Sequence, residues 1–349
     1  MDMRVGVVGC GYWGSKHVRV LSNHPDVTGV VIIDGRPEIR ASVGTDFPDA
    51  LQRQSLAEAM DDIDAIVVAT PPETHFDVTA EAIAAGKHAL VEKPMATNTA
   101  DAMELVRMAE AAGVVLAAGH TFAYNAAVWK LAELVRNGSL GKLHYMDAAR
   151  LNLGLYREDV NVLWDLAAHD ISITTMILGT VPDTVSAWGA RHTTGFSEDV
   201  ATLRMNFERQ EVESTVRASW LDPLKIRKTT VVGSEKMAIY DDVDEGQRIK
   251  IVDRARTLDG RPGGRNPISV TYREGGTTAP TINFQEPLQM QANDFLDCCR
   301  NGGTPMSDGV AGLAVVAVLE ASDRSLDENG APIPVNLPHI RLRPSLAIV

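Results

Sequence analysis

Cysteine is nearly absent from this chain: three in 349 residues, at Cys10, Cys298 and Cys299. Two are adjacent and one lies in a glycine turn, which excludes a disulfide framework and makes a reducing cytoplasm the expected compartment. Positive charge is short as well. The 46 acids outnumber 33 Lys and Arg for a net charge of −13, which argues against nucleic acid, because phosphate binding needs a positive field. The longest apolar stretch, Ala311 to Leu319, is nine residues, about half a bilayer span. The start, Met1-Asp2-Met3-Arg4, carries no signal-peptide pattern. Neither H-E-x-x-H nor paired-cysteine spacing occurs, so no metal site is expected. The remaining composition is that of an ordinary soluble protein, and the length implies two domains.

What the chain does have is Val5-Gly6-Val7-Val8-Gly9-Cys10-Gly11-Tyr12-Trp13-Gly14. An apolar strand runs into the spacing G-x-G-x-x-G, and a helix is expected from His17 to Leu21. Such a turn asks for glycine three times: for tightness, for the approach of a pyrophosphate, and for close helix–strand packing. The phosphates then meet unpaired N–H groups at the helix start. A second apolar strand, Val30 to Ile33, ends at Asp34, twenty residues after Gly14, where a carboxylate accepts the ribose hydroxyls of an adenosine. Gly9, Gly11, Tyr12, Trp13, Gly14 and Asp34 are therefore expected to bind a dinucleotide. Asp34 favours NAD by repelling a 2′-phosphate; Arg36 partly offsets that repulsion, so NADP stays open.

Strand and helix alternate over the first 120 residues, the pattern of a parallel sheet covered on both faces. Beyond Ala126 come two helices, Val128 to Arg136 and about Val162 to Leu178, followed by period-two segments between Thr184 and Tyr240. Asp253 to Gly276 reads as an extended loop, and helices near Leu288 to Arg300 and Gly309 to Leu326 close the chain. The expected fold is α/β: a Rossmann dinucleotide-binding domain over 1–122 and an α+β domain with a large, mostly antiparallel open sheet over 123–349. That sheet presents a face for a second subunit.

Two segments carry chemistry. Glu92-Lys93-Pro94 follows a strand at the carboxyl end of the sheet, where ligands bind; the Lys93 ammonium there can stabilise an alkoxide as hydride leaves. In Trp164-Asp165-Leu166-Ala167-Ala168-His169-Asp170, Asp165 and His169 stand four apart on one helix face. The imidazole suits proton transfer near neutral pH, and the carboxylate orients it. His120, near the domain junction, could touch the cofactor or satisfy a backbone group, and the backbone role is the expected one. Lys225, Arg227 and Lys228, with Arg150 and Arg157, are the basic side chains suited to an anionic substrate.

The ordered set G-C-G-Y-W-G, A-T-P-P-E-T-H (Ala69 to His75), E-K-P (Glu92 to Pro94) and D-x-x-x-H (Asp165 to His169), with the late run Gly312 to Ala321, resembles the glucose–fructose oxidoreductase/inositol dehydrogenase (Gfo/Idh/MocA) family over nearly the whole chain. The resemblance implies an NAD(P)-dependent enzyme acting on a secondary alcohol of a sugar or cyclitol. Thr70, Pro71 and His75 would line the cofactor path, with Glu92 and Lys93 beside the nicotinamide ribose. Lys93 and His169 would act together on the substrate hydroxyl. Independently of the resemblance, Tyr124, Arg150, Arg157 and His169 are expected around the substrate. The resemblance also implies a cis bond before Pro94 and a homodimer or homotetramer formed through the sheet. Ser172 stands where inositol dehydrogenases carry aspartate, which disfavours inositol. The segment Asp159 to His169, with Asp34, looks closest to sugar-nucleotide or aminosugar 3-dehydrogenases. The alternatives are a ketosugar reductase, an NAD-dependent glycoside hydrolase and a non-catalytic dinucleotide sensor.

Overall fold

The computed structural model describes residues 3–154, 157, 160–193, 195–259 and 269–337. The chain forms two compact units. One is built mainly from the residues up to Tyr124 with Gln285–Glu320, the other from Asn125–Phe284 with Ala321–Asn336. This differs from a single cut after residue 122, because residues 285–320 return to the first unit.

In the first unit the described residues give β1 (Met3–Val8), α1 (Tyr12–Ser22), β2 (Val27–Ile33), α2 (Pro37–Asp46), β3 (Leu51–Arg53), α3 (Leu56–Ala59), β4 (Ala65–Val68), α4 (His75–Ala84), β5 (His88–Glu92), α5 (Thr99–Ala112) and β6 (Leu116–Gly119). The six strands are parallel in the order β3-β2-β1-β4-β5-β6, the Rossmann arrangement. Apolar side chains on both faces force this burial: Val5, Val7, Ile32, Val67 and Leu90 pack under Val18 and Leu21 of α1, while β4 is buried along its length. Strand order reverses between β1 and β4, so their carboxyl ends open the ligand crevice. The sequence pattern does not reveal α2 and β3. Only Val43 and Gly44 of α2 are buried, and β3 is three largely exposed residues.

The second unit begins with α6 (Ala126–Arg136), whose first turn is capped by Asn125 accepting from the Ala127 N–H at 2.9 Å. Strand β7 (Leu143–Leu153) follows, then a π turn at Leu163–Ala167 running into α7 (Ala168–Leu178). Next come β8 (Thr184–Ala190), β9 (Val200–Phe207), β10 (Val212–Ser219), β11 (Leu221–Gly233), β12 (Met237–Asp241), β13 (Ile249–Asp259) and β14 (Ser269–Thr278). The expected loop at Asp253 to Gly276 is therefore corrected: much of it is β13 paired antiparallel with β14. Strand β14 is exposed along its described length, so no buried face imprints an apolar alternation there.

Helices α8 (Pro287–Asn301) and α9 (Gly309–Asp327) follow, then β15 (Ile333–Pro334). Leu288, Phe295 and Leu296 of α8 join the first unit's core. With β15 at one edge, the described strands of the second unit form a nine-stranded sheet in the order β14-β13-β12-β11-β7-β10-β9-β8-β15, antiparallel except for β7 against β10. Among the described residues no helix is long and apolar enough to cross a membrane, and no cluster of three metal-ligating side chains occurs.

Candidate active site

The glycine turn between β1 and α1 has the geometry its sequence asks for. Gly9 holds φ +84, and a Cβ there would stand 2.8 Å from the Ala69 carbonyl oxygen. A Cβ on Gly14 would reach 1.9 Å from the Gly9 oxygen, so helix and strand touch only because both side chains are missing. Gly11 is different: a Cβ there would meet nothing within 4 Å. The protein leaves that space beside the α1 N-terminus, where the first turn has no acid, and a diphosphate fits it. Tyr12 and Trp13 are exposed beside it, edge to face at 5.5 Å, with the Lys16 ammonium 4.7 Å over the Tyr12 ring. Cys10 is inert, because burial pushes its thiol up to about 12.

Asp34, at the end of β2, is buried. Its carboxylate accepts from the Cys10 N–H and from the Arg36 N–H, Nε and Nη2 at 2.9–3.0 Å. Burial alone would raise its pKa, but the Arg36 bonds outweigh this and lower it. These groups fit a dinucleotide: an open cradle at a helix N-terminus and an ionised carboxylate at the ribose position.

Beyond β4, Thr70 and Pro71 lead into a short turn at Pro72–Thr74. His75 is buried behind them, its Nε2 2.8 Å from the Thr70 oxygen and its Nδ1 2.7 Å from the Pro94 oxygen. Burial lowers its pKa, while the two carbonyls beside its ring nitrogens act the other way. His75 thus shapes the two loops from behind rather than lining an open path. At the end of β5, the Lys93–Pro94 peptide is cis and Lys93 is half-buried. The Lys93 N–H donates to Glu92 Oε2 at 3.1 Å, while Glu92 Oε1 lies 2.9 Å from His17 Nε2 of α1.

His17 was not found from sequence; its place one helical turn after Gly14 is the only signal. His120, following β6, is 1% exposed. Neither of its ring nitrogens has a hydrogen-bond partner among the described residues, which corrects the backbone role expected for it. Burial holds its pKa near about 4, so the ring is neutral. Tyr124, expected at the substrate, is instead packed within the first unit. Its hydroxyl donates to Asp294 Oδ2 at 2.7 Å and accepts from the Ser307 N–H at 3.2 Å, which commits it to holding α8.

In the second unit the expected continuous helix is broken into π and α segments, with the Ala168 N–H bonded to the Leu163 oxygen. Single π turns occur mostly at functional sites. This one is stapled by Asp323 of α9, which accepts from Trp164 Nε1 and Asn161 Nδ2 at 2.7 Å each. Asp165 Oδ2 accepts from Trp220 Nε1 at 2.9 Å, and Oδ1 lies 3.9 Å from Arg157 Nη1. His169 is half-buried in the first turn of α7. Arg150, expected to hold substrate, is 2% exposed and forks onto Asp170 at 2.7 and 3.3 Å. This correction follows from the pleat: Arg150 shares the buried face of β7 with Met146 and Ala148. Arg150 thereby anchors the residue that follows His169. Of the other basic side chains, Arg227 lies 3.5 Å from Asp242 and Lys228 3.2 Å from Asp241.

Residues 3–120 match the model of an oxidoreductase family with an NAD-binding Rossmann fold, and residues 128–239 match the GFO/IDH/MocA C-terminal domain. The chain is 30% identical to a UDP-N-acetylglucosamine 3-dehydrogenase of Acidithiobacillus ferrooxidans over 91% of this chain and 95% of that protein. It is 24% identical to a D-apiose dehydrogenase of Paraburkholderia graminis, covering 92% and 87%. A crystal structure of GenD2 from gentamicin A biosynthesis, in complex with NAD, is 26% identical with TM-score 0.80, covering 96% and 97%. That of the Acidithiobacillus enzyme is 27% identical with TM-score 0.79, covering 94% and 99%. The chain belongs to the Gfo/Idh/MocA oxidoreductases, enzymes built on an NAD-binding Rossmann fold.

Proposed function

We propose that this enzyme oxidises the C3 hydroxyl of a nucleotide-linked aminosugar with NAD, and reduces the 3-ketosugar in reverse. The observation that carries this reading is the 30% identity to the UDP-N-acetylglucosamine 3-dehydrogenase, which spans both units. Bound NAD supplies the acceptor for the hydride leaving the sugar carbon. In this reading Lys93 donates a hydrogen bond to the reacting oxygen and offsets its growing negative charge. The hydroxyl proton passes to the imidazole of His169. Asp165, fixed by Trp220, orients that imidazole, and Arg150 keeps Asp170 and the start of α7 in place. Arg157, half-buried beside Asp165, supplies positive charge for an anionic part of the substrate. Positioning and general-base help of about 10²–10⁴-fold supply the rate.

The similarity to GenD2 from gentamicin A biosynthesis, 26% identical at TM-score 0.80, favours a second reading, in which the sugar belongs to an aminoglycoside precursor. In either case a second copy of the chain is proposed on the open face of the nine-stranded sheet, where Tyr145 of β7 and Trp188 of β8 are exposed. The deciding experiment is a panel of UDP-sugars, free sugars and aminoglycoside intermediates, followed through NADH absorbance. Turnover of UDP-N-acetylglucosamine at least tenfold above the free sugars supports the first reading, and the reverse ranking supports the second. NADH binding without turnover of any sugar overturns both and leaves a dinucleotide sensor.

A further inference from the structure

We infer that Arg36 is a displaceable plug on the ribose-binding carboxylate, and that its displacement sets how far the enzyme distinguishes NAD from NADP. A carboxylate offers about four acceptor positions, and on Asp34 all four are used. Oδ1 accepts from the Arg36 N–H at 3.0 Å and Arg36 Nε at 2.9 Å; Oδ2 accepts from the Cys10 N–H and Arg36 Nη2, both at 2.9 Å. The two hydroxyls of an adenosine ribose need two of these positions. The two backbone donors cannot leave, because Cys10 sits in the glycine turn and the Arg36 N–H is the start of α2. The guanidinium can. Its side chain is 58% exposed whereas that of Asp34 is 5% exposed, so the fork swings out without disturbing the core.

The exchange differs between the two cofactors. NAD replaces a guanidinium fork, charged on both sides, by bonds from two uncharged hydroxyl donors, and so gives up the Coulombic attraction between Arg36 and the Asp34 carboxylate. NAD therefore binds against Arg36. A 2′-phosphate brings its own anion for the released guanidinium, which stays tethered two residues from Asp34. NADP thus recovers part of what displacement costs. Arg36 weakens NAD, strengthens NADP and brings the two affinities closer than Asp34 alone would set them.

The test measures cofactor binding to the purified chain without any sugar, so its outcome is independent of the substrate proposed above. NAD and NADP dissociation constants are determined by calorimetry for the parent, Arg36→Ala and Arg36→Lys. Arg36→Ala is expected to tighten NAD threefold or more and to weaken NADP tenfold or more. Arg36→Lys keeps the charge but loses the two-point fork; it is expected to hold NADP within about fivefold of the parent while still tightening NAD. Asp34→Asn, which frees the guanidinium without moving it along the chain, is expected to shift the preference toward NADP. An Arg36→Ala chain that binds NAD more weakly than the parent, or keeps the parent's NAD-to-NADP ratio, overturns the inference.

Discussion

His17 Nε2 lies 2.9 Å from Glu92 Oε1, with both side chains buried. The helix behind the cofactor turn is thereby tied to the strand end that carries Lys93. Burial alone would raise the Glu92 pKa, yet the His17 bond and the Lys93 N–H outweigh it and lower the value. A carboxyl depressed in the folded state stabilises above its unfolded pKa, near 4.5, and that stability is lost as pH falls through the folded value. His17→Leu leaves a buried carboxylate without its partner and is expected to cost about 3–5 kcal/mol. His17→Gln, which keeps a donor, is expected to cost less than half of that. Urea unfolding of both variants at pH 7 checks the difference.

Arg150 and Asp170 form the second buried pair. Arg150→Met strands Asp170 in the interior, again at about 3–5 kcal/mol, whereas Arg150→Met combined with Asp170→Leu is expected to recover most of it. If the pair serves only stability, the double variant also regains turnover. If it positions His169, the double variant unfolds like the parent but remains slow, and comparing urea midpoints with kcat separates the two.

A histidine kept neutral by burial makes folding sensitive to mild acid. His120 takes up a proton near pH 6.5 when unfolded and near about 4 when folded. The unfolded chain therefore binds more protons between those values, and stability falls as pH drops from 6.5 toward 4. The full effect is about 3 kcal/mol. His120→Gln removes this titration, and its stability should decline less between pH 7 and pH 5 than the parent's.

In the proposed reaction Lys93 bonds the reacting oxygen, so Lys93→Met is expected to lower kcat by two orders of magnitude or more while NADH still binds within a few fold of the parent. Near-normal turnover in Lys93→Met removes the lysine from the chemistry. If His169 takes the hydroxyl proton, as proposed, His169→Gln should lose the acid limb of the pH profile for oxidation.

The parallel sheet was legible because β1, β4 and β5 are buried on both faces and read as continuous apolar runs. The pattern Thr99 to Ala112 reads as a helix stopped by Gly113, and α5 keeps those ends, with Gly113 left-handed. The π turn was not legible, since Asp165 and His169 keep a helical spacing, and the Asp323 that bonds Trp164 in that turn lies far along the chain. Arg150 read as a substrate ligand because sequence gives a charge but not its face; the register of β7 turns it toward Asp170. His17 was hidden for a related reason, since a buried histidine acquires meaning only through the strand end it meets; His120 was visible, but its lack of a hydrogen-bond partner among the described residues was not.

The glycine turn separates folding from binding within four residues. At Gly14 a methyl group would stand 1.9 Å from the Gly9 oxygen, backbone that cannot yield, so Gly14→Ala is expected to destabilise the first unit by several kcal/mol or prevent its folding. At Gly11 the same methyl meets no protein atom within 4 Å, so the folded chain has no steric reason for glycine there. Gly11→Ala should keep the parent's urea midpoint within experimental error. Its methyl occupies the space a pyrophosphate needs, and NAD affinity should fall tenfold or more by calorimetry. Unchanged affinity in a folded Gly11→Ala chain would place the diphosphate elsewhere and remove the helix N-terminus from cofactor binding.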